Sequence, residues 1–317
     1  MKRFGILTVA CIFMSALVVP LPGAESSISA SSSSPIPRTV NDLYPGLTTG
    51  ALTHAVGSEL EKGVLLRAGE LVISENELSE EIAGAPEELR PELQKNAFFI
   101  LEQLATFKLL AAEAKAEAAK TGTDISEKDE QAIIQENLRA LVKTAKVGDA
   151  EIQDFYNGNK EMFAGASLAQ VRPQIEQFLF QQKQQELVNR HIRTIGRRVR
   201  IEISAPWLKV QAALARDNAV DKARSSGRAS LVDFGSTGCV PCDMMAPILD
   251  TLREKYKGTV NVLFVHVAEE PILTSRYAVQ SIPVQIFFDK SGKEVFRHVG
   301  FFPQEEIEKR LSQMEVK

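Results

Sequence analysis

The feature that most constrains this chain is a pair of cysteines that follows a short apolar strand and opens a helix. Residues 231–234 are apolar apart from Asp233, which is typical of a buried strand, and a small-residue turn follows at 235–238. Cys239 and Cys242 come next, and apolar residues then recur at helical spacing. Strand, turn, Cys-x-x-Cys and helix together indicate thiol redox chemistry.

The chemical reason for this indication is electrostatic. At a helix N-terminus, free backbone N–H groups and the helix dipole stabilise the thiolate of Cys239, which is the form that attacks disulfides. Cys242 lies one turn later and is predicted to be close enough to resolve a mixed disulfide formed at Cys239. Pro241 falls in the first helical turn, where its missing N–H costs nothing.

Residues 232–242 and the chain that follows them resemble thioredoxin. The family pattern V-D-F-W-A-x-W-C-G-P-C aligns with V-D-F-G-S-T-G-C-V-P-C here, and Ile282-Pro283 matches the family's cis-proline loop. Gly292 matches a hairpin turn, and Gly300 matches the glycine that closes the last strand. The resemblance implies an α/β thioredoxin-fold domain at residues 211–317, with a central mixed sheet flanked by helices.

The resemblance also implies a role for each matching residue. Cys239 is the attacking thiolate, Cys242 is the resolving thiol, and Asp233 is a buried carboxylate that relays protons to Cys242. Burial would raise the pKa of Asp233 and make it a usable base; the alternative is an exposed charge at a strand end. The backbone of Ile282 would be free to pair with an extended substrate strand. The implied substrate-binding residues are Gly238, Val240, Pro241, Ile282 and Pro283.

Three of the departures from the family pattern bear on the chemistry of the site. Gly238 replaces the usual Trp and opens the rim of the site, and Val240 replaces the usual Gly. Phe264 stands where a Lys often lies near the buried Asp, so proton relay is expected to depend more on Asp233 and water. The changed dipeptide between the cysteines affects the reduction potential, so reductase, oxidase and isomerase all stay open.

The cysteine pair has two structural alternatives, a disulfide without redox function and half of a zinc site. A structural zinc site usually needs four protein ligands. The chain has no second cysteine pair, and His54, His191, His266 and His298 show no ligand spacing. We therefore predict no metal, and no cofactor beyond a redox-active Cys239–Cys242 disulfide.

The N-terminus has the features of an export signal. Lys2 and Arg3 precede an apolar run over 4–19, which is shorter than the ~20 residues that a membrane span needs. We expect residues 1–24 to be a cleaved signal peptide and the protein to be periplasmic. A lipid-modified Cys11 is disfavoured because the apolar run continues past it. Cleavage leaves two of the three cysteines, both in the motif, which favours redox function.

The chain between the signal and the cysteine domain is predicted to form a Ser/Pro-rich tether with an unassigned segment at 25–60, then a mostly helical domain at 61–205. That domain resembles the N-terminal helical domain of SurA-type and parvulin-linked chaperones. The resemblance is carried by G-E-L-V-I-S-E-x-x-L at 69–78, D-A-E-I-x-x-F-Y at 149–156 and V-R-P-x-I-x-x-F-L at 171–179. It implies an all-α domain from which the prolyl isomerase domain is missing, since only residues 164–170 separate the last two elements.

The partners that we expect follow from charge and resemblance. Lys and Arg number 37 against 41 Asp and Glu, a mild acidic balance that argues against nucleic acid. Our first hypothesis is an exported thiol–disulfide oxidoreductase with protein thiol or disulfide substrates and a membrane or periplasmic redox partner. The helical domain would bind unfolded clients or form a homodimer. The alternative is a periplasmic chaperone or holdase in which the redox pair is accessory.

Overall fold

The computed structural model describes residues 38–163 and 165–315 of the 317-residue chain. A mainly helical N-terminal domain is followed by an α/β C-terminal domain. The predicted signal peptide at 1–24 and the tether up to residue 37 lie outside the described residues. No helix in these two ranges combines the length and the apolar composition that a membrane span needs.

The elements follow one another along the chain. The helices are α1 Val40–Leu43, α2 Glu75–Ala83, α3 Arg90–Lys95, α4 Ala97–Thr121, α5 Glu130–Val142, α6 Asp149–Gly158, α7 Leu168–Arg198, α8 Ala205–Ala215, α9 Ala219–Arg224, α10 Val240–Lys255, α11 Pro271–Arg276 and α12 Gln304–Gln313. The strands are β1 Val56–Ser58, β2 Val64–Ala68, β3 Leu71–Ser74, β4 Ile201–Ser204, β5 Ala229–Gly235, β6 Val260–His266, β7 Val284–Phe288 and β8 Glu294–Val299. Short 3₁₀ helices lie at Ala51–His54, Glu87–Leu89 and Lys160–Phe163.

The N-terminal domain contains a four-stranded sheet, so the prediction of an all-α domain was wrong. The strand order is β1-β4-β2-β3, with β4 parallel to β1 and antiparallel to β2. Ile201 and Ile203 of β4 are buried and alternate with half-buried positions, which is the two-residue period of a strand with one face in a core. The sheet forms because α7 returns the chain to the strands near the start of the domain.

Residues 38–60 are part of this domain rather than a tether. Thr39 caps α1, and its hydroxyl accepts a hydrogen bond from the Asp42 backbone N–H at 3.2 Å. Val40 and Leu52 are fully buried in the same core as the residues of α4. Burial of this apolar surface moves the start of the domain from residue 61 to near residue 38.

Local caps set several of the helix ends. Ser74 accepts from the backbone N–H of Glu77 at 3.2 Å, and Asp129 accepts from that of Ala132 at 2.8 Å. Helices α3 and α4 are separate, because Asn96 between them adopts non-helical backbone angles. The 25-residue helix α4 is the centre of the domain core.

The chain crosses between the domains later than the sequence predicts. Residues 205–224 form two helices, α8 and α9, because Asn218 starts α9 as its N-cap and accepts from the Asp221 N–H at 2.9 Å. Leu208 and Ala212 of α8 pack into the core of the helical domain. The physical boundary therefore lies near residue 216 rather than at 201–210.

A buried polar cluster joins the two domains. Asp221 is 2% exposed, and its carboxylate accepts from Arg276 Nη2 at 3.0 Å, Tyr277 OH at 2.9 Å and Arg224 Nη1 at 3.3 Å. The two guanidinium groups also donate across the joint, Arg276 to the Gly46 carbonyl at 3.0 Å and Arg224 to the carbonyl before it at 3.3 Å. Burial raises the pKa of Tyr277, so its hydroxyl stays a donor.

The C-terminal domain is built on a mixed sheet, as predicted, and its strand order is β6-β5-β7-β8. Strand β5 is parallel to β6, and the other two pairs are antiparallel. All seven residues of β5 are buried, and successive ones face opposite sides: Leu231 joins the core under α10 and α12, and Val232 joins the core under α9 and α11. The end of β5 thus has a rigid base on both faces.

Candidate active site

The two cysteines lie at the start of α10 and form a disulfide, with their Cα atoms 5.2 Å apart. Cys239 is the N-cap residue and is partly exposed, whereas Cys242 is only 4% exposed. The preceding loop starts where β5 ends at Gly235, and Val240 projects outward with 71% of its surface exposed. In the open dithiol, a substrate disulfide could therefore reach Cys239 more easily than Cys242.

The cis-proline loop lies at the same end of the sheet. The Ile282–Pro283 peptide bond is cis, and the strand register pairs Val284 with Phe234, so β7 starts where β5 ends. The Gly300 N–H donates to the Pro283 carbonyl at 2.8 Å. Within the part of the chain that the structure describes, the backbone N–H and C=O of Ile282 have no hydrogen-bond partner. This backbone can pair with an extended peptide.

Asp233 is fully buried in β5. Burial raises its pKa to about 6, and a hydrogen bond from Gln285 acts in the opposite direction. Gln285 Nε2 donates to Asp233 Oδ1 at 2.7 Å, while Asp233 Oδ2 and Gln285 Oε1 are both buried without a partner. A carboxyl with a pKa near neutrality and one unpaired oxygen is suited to accept and release a proton.

Gln285 is a residue of this site that the sequence analysis missed. The register places it directly opposite Asp233 on β7, and it is fully buried. The available signal was a single carboxamide inside the apolar run of Val284–Phe288, since a buried polar side chain needs a partner. Which partner it has depends on strand pairing, which the local pattern does not carry.

The Phe264 ring occupies space next to the dithiol. A Cβ on Gly235 would lie 2.9 Å from Phe264 Cε2 and 3.5 Å from Cys242 Sγ. Gly235 stands where the family pattern has its first Trp, so the missing side chain makes room for the Phe264 ring. The ring thus provides an apolar surface near Cys242. Phe264 is itself 44% exposed.

His266 is a second residue that the sequence analysis did not assign to the site. Its Nε2 lies 3.3 Å from the backbone nitrogen of Thr237, from which it accepts a hydrogen bond. Its ring contacts that of Phe264 edge to face, with the ring centroids 6.4 Å apart. His266 therefore supports the loop that contains Gly238, which has a positive φ of 76° and needs glycine for that reason.

The helical domain reaches the edge of this site. A Cβ on Gly300 would lie 2.8 Å from Asn159 Oδ1 and 3.6 Å from Met162 Sδ. Asn159 is 4% exposed and follows α6, and Met162 packs against the core under α10. The turn after α6 thus lies against Gly300, whose N–H donates to the Pro283 carbonyl, so the helical domain contacts the cis-proline side of the site.

The histidines other than His266 are each held in separate contacts. Within residues 38–163 and 165–315, no group of three or more His, Cys, Asp or Glu side chains is placed to hold a metal. His54 accepts from Arg197 Nε at 2.8 Å, and His191 lies 2.6 Å from Glu113. His298 is half-buried, and this partial burial lowers its pKa; its ring stacks on that of Phe302. None of these is a ligand cluster.

Comparison with known proteins identifies the C-terminal domain. The family described as a thioredoxin-like domain matches residues 216–315. Thioredoxin from Staphylococcus aureus is 44% identical over 77 residues, which cover 24% of this chain and 73% of that protein. The chain belongs to the thioredoxin family. This homology supports a thiol–disulfide oxidoreductase in general terms.

Solved thioredoxin structures also match the thioredoxin domain. Chloroplastic thioredoxin z is 31% identical, with a TM-score of 0.28, over 30% of this chain and 86% of that one. Thioredoxin NaTrxh from Nicotiana alata is 29% identical, with a TM-score of 0.28, over 30% of this chain and 80% of that one.

Proposed function

We propose that this protein is an exported thiol–disulfide oxidoreductase that acts on disulfides of other proteins. The observation that carries the proposal is the pairing of a partly exposed Cys239 at a helix N-terminus with a buried Cys242. Cys242 lies next to Gly235, two residues along β5 from the raised-pKa carboxyl of Asp233. In this arrangement the Cys239 sulfur is accessible to substrate, and the Cys242 sulfur is shielded from solvent before it attacks the mixed disulfide.

The reaction begins from the reduced dithiol. The Cys239 thiolate attacks one sulfur of a substrate disulfide; the substrate S–S bond breaks, and the other substrate sulfur leaves as a thiolate. Asp233 takes the proton from Cys242, whose thiolate then attacks Cys239 Sγ and breaks the mixed disulfide. The substrate is released with both sulfurs reduced, and the Cys239–Cys242 disulfide is left behind. A dithiol redox partner must then return two electrons.

The groove beside the dithiol supplies the binding of substrate. The free backbone of Ile282 pairs with an extended substrate segment, and Pro283 and Pro241 line its two sides. Because Gly238 and Val240 replace a Trp and a Gly of the family pattern, the rim is open on one side and apolar on the other. Unfolded or partly folded proteins are the substrates that expose disulfides to such a groove.

The cellular setting follows from the sequence and is part of the proposal. A cleaved signal at 1–24 would place the protein in the periplasm, where a membrane or periplasmic partner re-reduces or re-oxidises the pair. The resemblance of 61–205 to SurA-type chaperones gives the helical domain a client-binding role. Homodimer formation is an additional prediction, which the mass of the protein in solution by light scattering tests.

The function is tested by following dithiothreitol-driven reduction of insulin by turbidity. We expect Cys239→Ser to abolish turnover, and Cys242→Ser to accumulate mixed disulfides that survive non-reducing electrophoresis. Ser236→Ala, in the same loop, is the matched control and should retain turnover. Unchanged turnover in Cys239→Ser would remove the assignment.

A second candidate function is a holdase, and the position of the helical domain favours it. The short connection between α6 and α7 leaves no room for an isomerase domain, and the helical domain packs directly against the thioredoxin domain. The full chain with both Cys239→Ser and Cys242→Ser should then suppress aggregation of a cysteine-free client as well as the unchanged protein does. Loss of suppression in the double variant would exclude a binding role that is independent of the dithiol.

A further inference from the structure

A cavity of about 520 Å³ lies between the helical domain and the thioredoxin domain, apart from the dithiol. Helices α4, α5 and α7 form one side, and residues 275–280 form the other. Its volume is within the roughly 300–1,000 Å³ of typical ligand sites. The apolar part of its lining includes Phe99, Phe107, Leu110, Ile134, Leu138 and Val142.

The polar part of the lining consists largely of carboxamides. A carboxamide both donates and accepts hydrogen bonds, as a peptide group does, so a set of them matches a polypeptide backbone without specifying its sequence. The side-chain oxygens of Gln185 and Gln280 have no hydrogen-bond partner, and Gln185 is only 4% exposed. The carboxamides are those of Gln103, Gln131, Gln135, Gln185, Asn189 and Gln280.

Some charged side chains at the cavity already have partners within the protein, and others do not. Glu102 is engaged with the helical domain, because its Oε1 accepts from the Leu52 N–H at 3.0 Å and from the Thr48 hydroxyl. In the described ranges, the guanidinium groups of Arg139 and Arg193 make no direct hydrogen bond or ion pair, and Glu136 and Glu186 act on them only through longer-range electrostatics. Burial lowers the pKa of Arg193. The uncommitted charge is therefore positive and suits a segment with an acidic or C-terminal carboxylate.

The wall of the cavity and the cis-proline loop belong to one short stretch of chain. Gln280 lines the cavity and lies three residues before Pro283. Between them, the Ser281 hydroxyl is buried without a partner, and the Ile282 backbone is unpaired in the described chain. Three residues span at most about 10 Å at about 3.3 Å per extended residue, so Gln280 of the cavity wall lies within about 10 Å of the cis-proline. One extended polypeptide can occupy both places.

We propose that this cavity binds an apolar segment of the substrate polypeptide while a neighbouring segment exchanges its disulfide at Cys239. The inference rests on the proposed function, and it assigns the substrate class: unfolded chains with apolar residues on one side of the reacting cysteine. The apolar lining takes the side chains, and the carboxamides take the backbone. Binding there raises the local concentration of the substrate disulfide at the dithiol.

The test fills the cavity and compares substrates that do and do not reach it. Leu138→Trp adds bulk inside the cavity, and Ala140→Trp adds the same side chain to an exposed position of the same helix that does not line it. The long substrate is a synthetic peptide disulfide with Leu- and Val-rich flanks. The short substrate is the same disulfide trimmed to one residue on each side of each cysteine.

We expect Leu138→Trp to raise the KM of the long substrate about tenfold with kcat unchanged, and to leave the short substrate unaffected. Ala140→Trp should change neither. Equal effects on the two substrates, or no effect of Leu138→Trp on the long one, would overturn the cavity proposal. Val142→Trp is a second filling variant, and thermal unfolding of each variant shows whether it is folded.

Direct binding separates this proposal from the redox assignment. Fluorescence anisotropy of a labelled, cysteine-free copy of the long peptide on the oxidised protein should show binding that Leu138→Trp weakens about tenfold. If the unchanged protein reduces neither substrate yet binds the peptide in this way, the proposed function fails and the cavity assignment stands. If decanoate binds in a manner sensitive to Leu138→Trp and the peptide does not bind, the cavity is a site for small amphipathic anions instead.

Discussion

Asp233, in the thioredoxin sheet, and Asp221, at the domain joint, are both buried carboxylates, but their hydrogen-bond partners differ. Asp233 is fully buried and has one hydrogen bond, from a neutral amide, with its second oxygen unpaired. Asp221 is 2% exposed and accepts from two guanidinium groups, a phenol and the Asn218 amide. Both residues are buried, and only their partners differ.

The difference shows how partners decide what a buried acid does. A carboxylate between two arginines is paired with opposite charge, and this pairing serves to fix the geometry of the joint. A carboxylate with only an amide is costly in its charged form, so its pKa rises to about 6 and it can exchange a proton near neutral pH. We therefore assign Asp221 to structure and Asp233 to chemistry.

Asp221→Ala should give the largest loss of stability. It leaves the guanidinium groups of Arg224 and Arg276 buried without their counter-charge, which typically costs about 3–5 kcal/mol. Urea unfolding at pH 7 measures the loss. Asp217→Ala is the matched control, since its ion pair with Lys222 is 63% and 68% exposed and is expected to contribute less than about 1 kcal/mol. Similar losses in the two variants would show that Asp221 does not hold the joint.

Gly46→Ala tests the same joint from the helical side. Gly46 has a φ of 80°, and a Cβ there would lie 1.8 Å from Arg224 Nη1, so the guanidinium must move. Gly63, with a φ of 83° and nothing within 4 Å of such a Cβ, is the matched control for backbone strain alone. We expect a loss of about 1 kcal/mol for Gly63→Ala and about 2–4 kcal/mol for Gly46→Ala, measured by urea unfolding. Equal losses would indicate that the arginine is not constrained.

Asp233→Asn should stabilise the protein in a pH-dependent way. The pKa of Asp233 is raised from 3.8 to about 6 on folding, so the folded state binds its proton more tightly than the unfolded state does. The stability associated with this proton is complete below pH 4 and is lost as the pH rises through 6. The difference corresponds to about 3 kcal/mol, so the variant should gain up to that amount at pH 8 and almost nothing at pH 3.5. A gain that does not change with pH would contradict the raised pKa.

Gln285→Leu sharpens the account of Asp233 and has the smallest expected effect. The carboxylate loses the hydrogen bond that opposes the effect of burial, so its pKa should rise further above about 6. Carbon-13 NMR of the Asp233 carboxyl during a pH titration measures this directly. We expect a stability loss of about 1–2 kcal/mol at pH 8 that shrinks at pH 4, where Asp233 is protonated in the folded protein. An unchanged titration would mean that Gln285 is only a packing residue.

Local signals were enough to predict the parts of the fold that depend on neighbours in the chain. The strand, turn and helix around Cys239 follow from a short apolar run, small residues and helical spacing. The N-cap at Ser74, with Glu77 three residues later, also lies where the capping pattern places it. Each of these depends on interactions within a few residues, which is why the sequence pattern carries them.

The remaining features depend on segments that only the folded chain brings together. The strand β4 pairs with β1 and β2, Gln285 meets Asp233, and Gly46 meets the arginines of the joint, each across a large separation in sequence. Hydrophobic periodicity shows that such residues are buried but not which partner they meet. The sequence alone therefore determined the thioredoxin domain and its cysteine pair. The tertiary structure decided how the buried polar groups are paired, because a buried polar group takes its partner from whichever distant segment packs against it.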